Sequence, residues 1–363
     1  MPQAVRALFL SIVPSPYQRD LFARLAARDD VEVRVVYCEA GSPDSPWPEK
    51  DVAPYESVMP GFYLSWGGSR FLLNAGVPPV RDADVVVCNG YMTLAAQRLM
   101  RRCRGHVPVL FWGEKMVAAS PGLKGAVQRR IARPLEGVDG FVAIGRGAKE
   151  DYGRRYPGRP VYSIPYFCEM ESFRRERPER PRTPPVILFC GQMIGRKGLD
   201  ILLKAYAKVR EAGMDARLLL VGREEALPEM LREIPERFHA DIENAGFQAP
   251  EALPGIFRRA DLFVLPSRYD GWGVVVNQAV GAGLPVIVSD AVGAGPDLVH
   301  EGSNGHIVPA GDVDALADRI DRLLRDPRRL AAASDASWAL APDFFPERGA
   351  ELWAEVLHSV RKG

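Results

Sequence analysis

Val186-Ile187-Leu188-Phe189-Cys190-Gly191-Gln192-Met193-Ile194-Gly195-Arg196-Lys197-Gly198 carries the reading of the fold. Five consecutive apolar residues of strand length run into glycines, and a helical pattern follows over about 198–212. A buried strand, a tight turn and a helix make half of a βαβ unit, and the same grammar recurs along the chain. After it come Arg217 to Val221, a helix near 251–259, Leu262 to Leu265, a helix from about 273, and Pro285 to Val288. Before it come Val5 to Val13, Val31 to Tyr37, Val85 to Cys88, Val109 to Trp112 and Phe141 to Ile144, with helices near 17–28, 92–103 and 122–135. Strands alternating with helices predict parallel sheets covered on both faces.

Between the two series lies Arg174-Arg175-Glu176-Arg177-Pro178-Glu179-Arg180-Pro181-Arg182-Thr183-Pro184-Pro185, too charged and proline-rich to bury a core or hold a helix. The expected organisation is therefore an N-terminal domain over 1–173, a linker over 174–185, and a C-terminal domain over 186–342. A terminal segment, 343–363, carries Leu352, Trp353, Val356, Leu357 and Val360 on one stripe and is expected to cross back to the first domain. The fold class is α/β, with two doubly wound, Rossmann-like domains facing across a cleft. Ligands of such sheets bind outside the carboxyl ends of the strands.

Composition narrows the function. The chain has 363 residues, 47% hydrophobic, and a net charge of +1, which gives no general attraction to nucleic acid. Five scattered cysteines without a C-x-x-C pair suit reduced thiols in a cytoplasmic protein. The apolar run from Ala7 to Val13 is too short for a membrane span. A nicotinamide dehydrogenase is disfavoured because Val13-Pro14-Ser15-Pro16 stands where G-x-G-x-x-G would follow the first strand.

Two segments have the chemistry of a diphosphate clamp. Gly191 to Gly198 places Arg196 and Lys197 at the opening of a helix, and Pro266-Ser267-Arg268-Tyr269-Asp270-Gly271-Trp272-Gly273-Val274-Val275-Val276-Asn277-Gln278-Ala279 leaves a strand through glycines into another. Glycine lets a ligand approach the backbone, and free N–H groups at a helix start favour phosphate. Taken singly, each is as readily an ordinary turn; in series, at the same end of one sheet, they point to a site.

With Gly246-Phe247, Ala260-Asp261, Gly302-Ser303-Asn304-Gly305 and Gly311-Asp312, these segments make the C-terminal half resemble the retaining nucleotide-sugar glycosyltransferases of family 4, which have the GT-B fold. Pro14-Ser15-Pro16-Tyr17 with Leu21-Phe22, and Ile164-Pro165-Tyr166-Phe167, extend the resemblance into the first half. The resemblance implies transfer of a sugar from a UDP- or GDP-sugar to a sugar or glycoconjugate acceptor, with retention, without metal or cofactor, in glycan or surface-polysaccharide synthesis. It implies that Arg196 and Lys197 meet the diphosphate, with Asp270 at the donor sugar. Gly191, Gln192, Gly271, Trp272, Gly273, Val274 and Val275 line the donor, and Phe247 and Gln248 lie near the base. Ser15, Pro16 and Tyr17 form the acceptor loop, and Glu114 is a polar candidate beside it.

The chain departs from the family at both ends of its paired-glutamate signature, with Asp270 and Gln278 in their place. Asp270 keeps a carboxylate on a shorter arm, whereas Gln278 offers one acceptor oxygen and an amide donor to the ribose. Asn277 points roughly 100° away on the helix. The histidine that many members set near the donor sugar has no counterpart. A second reading is therefore a catalytically silent GT-B subunit that binds a sugar nucleotide or a partner enzyme. Asp82-Ala83-Asp84 and Asp312-Val313-Asp314 read as turn and helix-cap residues in preference to metal ligands.

From Arg98 to Arg133 nine basic residues accompany the single acid Glu114, and Leu123, Val127 and Ile131 recur every fourth position. Two readings follow. The preferred one is an ordinary surface helix whose apolar stripe covers the sheet; the other is peripheral contact of residues 98–133 with anionic lipid at the inner membrane face.

Overall fold

The computed structural model describes residues 3–41, 51–66, 69–117, 120–174, 182–224 and 226–361. They form two compact units, one of residues 1–168 with 346–363 and the other of residues 169–345. Residues 175–181 of the expected linker lie outside the described residues.

The strands of the first unit are β1 (Val5–Ser11), β2 (Val31–Tyr37), β3 (Glu56–Val58), β4 (Gly61–Trp66), β5 (Ser69–Asn74), β6 (Val85–Asn89), β7 (Val109–Gly113), β8 (Gly140–Ala143) and β9 (Val161–Ser163). Among the described residues, seven make one parallel sheet in the order β3-β2-β1-β6-β7-β8-β9, while β4 and β5 pair as an antiparallel hairpin. Residues Val85 to Cys88 and Val109 to Gly113 are buried throughout, as strands covered on both faces require. β1 stops at Ser11, short of the apolar run's end at Val13, ahead of Pro14 and the helix that starts with Pro16.

The helix Pro346–Val360 belongs to this unit. Its Trp353 is fully buried, 5.1 Å from the Phe9 ring and 5.2 Å from that of Trp112. Gly349 lets it approach closely, since a Cβ there would lie 2.6 Å from the Phe167 ring. An Arg24–Glu347 ion pair at 2.7 Å ties it to the helix Pro16–Ala26.

The helix Gly122–Ala132 departs from the preferred sequence reading. Its apolar stripe does not cover the sheet: Leu123 is 83% and Val127 50% exposed, whereas Gly125 is buried. Pro134 then tightens the chain into a 3-10 turn, Arg133–Gly137.

The second unit comprises β10 (Val186–Cys190), β11 (Arg217–Val221), β12 (Ile242–Asn244), β13 (Leu262–Leu265), β14 (Val286–Ser289) and β15 (Gly305–Val308), parallel and in the order β12-β11-β10-β13-β14-β15. The chain enters it at Glu169, five residues before the expected linker. The reason is packing: the Phe173 ring lies 5.3 Å from Phe257, and Met170 fills the space beside Gly281, where a Cβ would come within 2.6 Å. The Gly302 to Gly305 turn is structural. Asn304 accepts from the His300 N–H and donates to the Leu298 carbonyl, while a Cβ on Gly305 would overlap the Val286 carbonyl. All five cysteines are buried and no disulfide joins them, and burial pushes the Cys190 thiol up to about 12.

Candidate active site

In the second sheet the strand order reverses between β10 and β13, so the loops leaving their carboxyl ends diverge around a crevice. These loops are residues 191–198 and 266–274. They touch because Gly198 has no side chain: its φ is +72°, and a Cβ would stand 2.0 Å from the Pro266 carbonyl oxygen. Arg268 clamps them further. Its guanidinium donates to both oxygens of Asp200 at 2.7 and 2.6 Å and to the Gly195 carbonyl, and its N–H donates to the Arg196 carbonyl at 2.8 Å. This clamp holds the Asp200 carboxyl below its ordinary value, chiefly through the Arg268 hydrogen bonds. Sequence reasoning missed both residues; Asp200 in the first turn of the helix Leu199–Glu211 was the available signal.

Within the clamp, Lys197 Nζ lies 2.5 Å from Asp270 Oδ2, with the two side chains only 15% and 10% exposed. The main chain of Asp270 is fixed by an N–H bond to the Ala291 carbonyl and by accepting from Gly293, while Ala294 donates to the Trp272 carbonyl. Gly293 makes this approach possible, since a Cβ there would meet the Gly271 oxygen at 2.0 Å. Arg196 diverges from its neighbour: it is exposed, and its guanidinium reaches the Tyr269 carbonyl at 3.2 Å.

Gly273, at φ +89°, delivers the chain into the helix Val275–Gly281, which starts two residues later than the sequence pattern suggests. Trp272 is buried, and its indole N–H donates to Asn277 Oδ1 at 2.8 Å, so Asn277 is committed to holding the turn. Gln278 is half-buried, and its Oε1 is a buried acceptor with no partner among the described residues. An unused buried acceptor carries a desolvation cost that a ligand hydroxyl would remove.

Gly191 donates to the Val221 carbonyl at 2.8 Å, and Gly222, at φ +145°, passes so close that a Cβ would lie 1.9 Å from the Gly191 oxygen. Gly222 in turn donates to the Gly246 carbonyl, linking the half-buried Gln192 and the turn beyond β12 along one carboxyl edge. There Gln248 donates to the Ala245 carbonyl, and Phe247 is 51% exposed with the Arg223 guanidinium 5.5 Å over its ring. An exposed ring backed by a cation is a stacking surface for a planar group.

In the first unit, Ser15 precedes the helix that Pro16 opens. Its carbonyl accepts from Gln18 and Arg19, while its hydroxyl is buried without a partner among the described residues. The Tyr17 ring packs 4.7 Å from that of Tyr166, whose hydroxyl is held far above its ordinary value, first by burial and then by Tyr17 and Glu114. Glu114 is half-buried, and its carbonyl accepts from the Tyr152 hydroxyl. Two polar residues that sequence reasoning missed, Ser11 and Asn89, join Gln18 of the acceptor loop where this sheet also reverses order, between β1 and β6. The Ser11 hydroxyl donates to Gln18 Oε1 at 3.0 Å, Gln18 donates to Asn89 Oδ1 at 3.4 Å, and Asn89 donates to the Trp112 carbonyl. Ser11 closing an otherwise apolar strand was the signal.

Three of the four acids in the two D-x-D tripeptides have partners within their own unit. Asp84 accepts from the main chain and guanidinium of Arg6, Asp312 caps its helix by accepting from the Ala315 N–H, and Asp314 pairs with Lys208. Among the described residues no three His, Cys, Asp or Glu side chains are grouped to hold a metal ion.

A protein-family model described as glycosyl transferases group 1 matches residues 184–326. The GDP-mannose-dependent alpha-(1-6)-phosphatidylinositol monomannoside mannosyltransferase of Mycolicibacterium smegmatis is 34% identical over 190 residues, covering 49% of each chain. The phosphatidyl-myo-inositol mannosyltransferase of Mycobacterium leprae is 34% identical over 209 residues, covering 53% of this chain and 54% of that one. The chain thus spans about half the length of the curated relatives it matches. Sucrose-phosphate synthase from Thermosynechococcus elongatus superposes with a TM-score of 0.74 at 19% identity over 98% of both chains. Anabaena HepE in complex with UDP gives 0.73 at 17% identity over 98% of this chain and 100% of that one. At these identities the structural likeness speaks for architecture alone: the chain has the α/β, two-Rossmann-unit GT-B fold, with the glycosyl transferases group 1 match falling on its second unit.

Proposed function

We propose that the protein is a metal-independent, retaining hexosyl-type glycosyltransferase that moves a sugar from a UDP- or GDP-linked donor to an acceptor hydroxyl in glycan, surface-polysaccharide or glycoconjugate synthesis. The observation that carries the proposal is the Lys197–Asp270 pair, held by two glycine turns at the reversal point of the second sheet. An ammonium and a carboxylate at that point match the two halves of a sugar nucleotide, with the diphosphate on the cation and the sugar hydroxyls on the acid. The names of the relatives and of the UDP complex support a nucleotide-sugar donor.

In this reading Lys197 and Arg196 take the growing negative charge as the glycosidic bond to the diphosphate breaks. Asp270 orients the sugar, Gln278 accepts from a ribose hydroxyl, and the N–H groups from Gly271 to Val275 line the phosphates. The acceptor hydroxyl attacks the anomeric carbon from the face the diphosphate leaves, and its proton passes to the departing phosphate oxygen. Ser15, Pro16, Tyr17 and Glu114 bound the acceptor. The reading places the protein in the cytoplasm, with residues 98–133 at the inner face of a membrane.

A thermal-shift screen against uridine, guanosine, adenosine and thymidine diphosphates and their sugar conjugates, with and without divalent metal, tests the donor. Selective stabilisation by one base series without metal is expected. Donor turnover by the wild type and by Asp270→Ala then tests chemistry. Nucleotide binding with equal background turnover in both, across an acceptor panel, selects the silent-subunit reading, which the missing second carboxylate at Gln278 favours. No shift with any nucleotide removes the transferase reading and leaves a silent subunit that binds a partner enzyme.

A further inference from the structure

We infer that the crevice at the carboxyl edge of the first sheet is a subsite for an uncharged polyol, in which Asn89 and Gln18 set the specificity. The group the acceptor presents there is a neutral sugar ring, not a phosphate or a carboxylate. This names the acceptor class and rests on the transferase reading above.

The first sheet reverses its order between β1 and β6, where an open parallel sheet receives its ligand. The loops that leave these two strands, residues 12–18 and 90–93, contain no charged residue. The corresponding loops of the second unit bring Arg196, Lys197 and Asp270 to its own crevice. Arg19, the first charge beyond residue 18, is already committed: its guanidinium donates to both oxygens of Glu56 at 3.0 and 2.7 Å. On the adjoining β7 loop the acid Glu114 is half-buried and Lys115 is exposed. Such surroundings give a phosphate little to replace its hydration, whereas a hydroxyl needs only neutral donors and acceptors.

Those neutral groups are present. Ser11 donates to Gln18 Oε1 at 3.0 Å, Gln18 donates to Asn89 Oδ1 at 3.4 Å, and the half-buried Asn89 donates to the Trp112 carbonyl at 3.2 Å. The bond between the two amides is longer than an ordinary N–H···O bond, and each amide carries a second N–H. Gln18 is only 4% exposed, so this loose pairing is not made good by bulk water. One turn of backbone joins it to Ser15, which is 3% exposed and whose hydroxyl has no partner among the described residues. Weakly paired amides and an orphaned hydroxyl carry a desolvation cost that polyol hydroxyls, each donor and acceptor at once, remove. Tyr17 and Tyr91, half-buried on the same two loops, add ring surface for the C–H face of a sugar.

The test is saturation-transfer NMR of the full-length protein, with and without nucleoside diphosphate. The neutral probes are methyl α-glucoside, methyl α-mannoside and maltose; the charged ones are glucose 6-phosphate, mannose 6-phosphate and methyl α-glucuronide. At least one neutral probe is expected to bind about tenfold tighter than any charged one. Asn89→Asp and Gln18→Glu, which keep the shape and add a charge, are expected to weaken that binding by about tenfold. Ser15→Ala removes an unsatisfied hydroxyl, so it should melt at or above the wild-type temperature and yet weaken the neutral probe by about threefold, a split that a merely structural role would not give. No binding by any neutral probe, equal or tighter binding by the charged ones, or undiminished binding by both amide variants overturns the inference. The nucleotide-induced thermal shift is measured alongside. A shift without neutral-probe binding leaves the donor reading and removes the polyol subsite; neutral-probe binding without a shift keeps the subsite and removes the transferase reading.

Discussion

Asp270→Asn tests the centre of the site, because asparagine keeps the shape of the side chain and removes its charge. Removing one partner of a buried ion pair costs about 3–5 kcal/mol, since the remaining charge stays out of water. Lys197 and Asp270 retain 15% and 10% exposure, and the amide oxygen can still accept from the ammonium, so about 2–3 kcal/mol is expected. For a unit of this size each kcal/mol moves the melting temperature by about 2–4 °C, so the second unit melts about 4–12 °C lower in the variant. A nucleoside diphosphate then acts as the missing counter-ion. In the wild type it competes with Asp270 for Lys197; in the variant it meets an ammonium without a carboxylate. Differential scanning fluorimetry with saturating nucleotide should therefore give a larger upward shift in Asp270→Asn than in the wild type, while donor turnover falls. The apolar double variant Lys197→Met/Asp270→Leu should regain most of the lost stability without regaining the nucleotide response. An Asp270→Asn protein that melts with the wild type, or whose nucleotide shift is no larger, refutes the reasoning.

Three further outcomes follow from the same geometry. Gly198→Ala should destabilise the second unit by about 3–5 kcal/mol in urea unfolding, because the new Cβ meets the Pro266 carbonyl at 2.0 Å in a left-handed backbone, while Gly195→Ala, with open space around it, should cost less than about 1 kcal/mol. Gln278→Glu should tighten nucleotide binding about fivefold by calorimetry, since a carboxylate accepts more strongly than the orphaned amide oxygen; unchanged affinity takes Gln278 out of ribose contact. The Asp200 carboxyl is lowered from 3.8 by Arg268, so its contribution to stability is full above that value and is lost as pH falls through the depressed one; urea midpoints measured downward from pH 5 should lose this acid-dependent part in Asp200→Asn.

Local pattern determined a large share of this protein. The strand runs, the glycine turns and the order of the two series could be read from hydrophobic periodicity, because a five-residue apolar run such as Val186 to Cys190 is stable only as a buried strand between helices. The candidate donor residues were legible for the same reason: Gly198 and Gly273 adopt positive φ that other residues resist, so their spacing records the turns around Lys197 and Asp270.

Pairing across distance was not legible. Nothing in the sequence joins Arg268 to Asp200 or Lys197 to Asp270, which lie 68 and 73 residues apart and meet only because β10 and β13 are neighbours. Nor did periodicity say which way the helix Gly122–Ala132 faces. A 3.6-residue repeat fixes which side chains share a face, but only the packing of the unit left Leu123 and Val127 in solvent. Sequence set the elements and their chemistry, and tertiary packing decided which charges meet and which apolar faces stay open, because those outcomes depend on contacts between residues far apart in the chain.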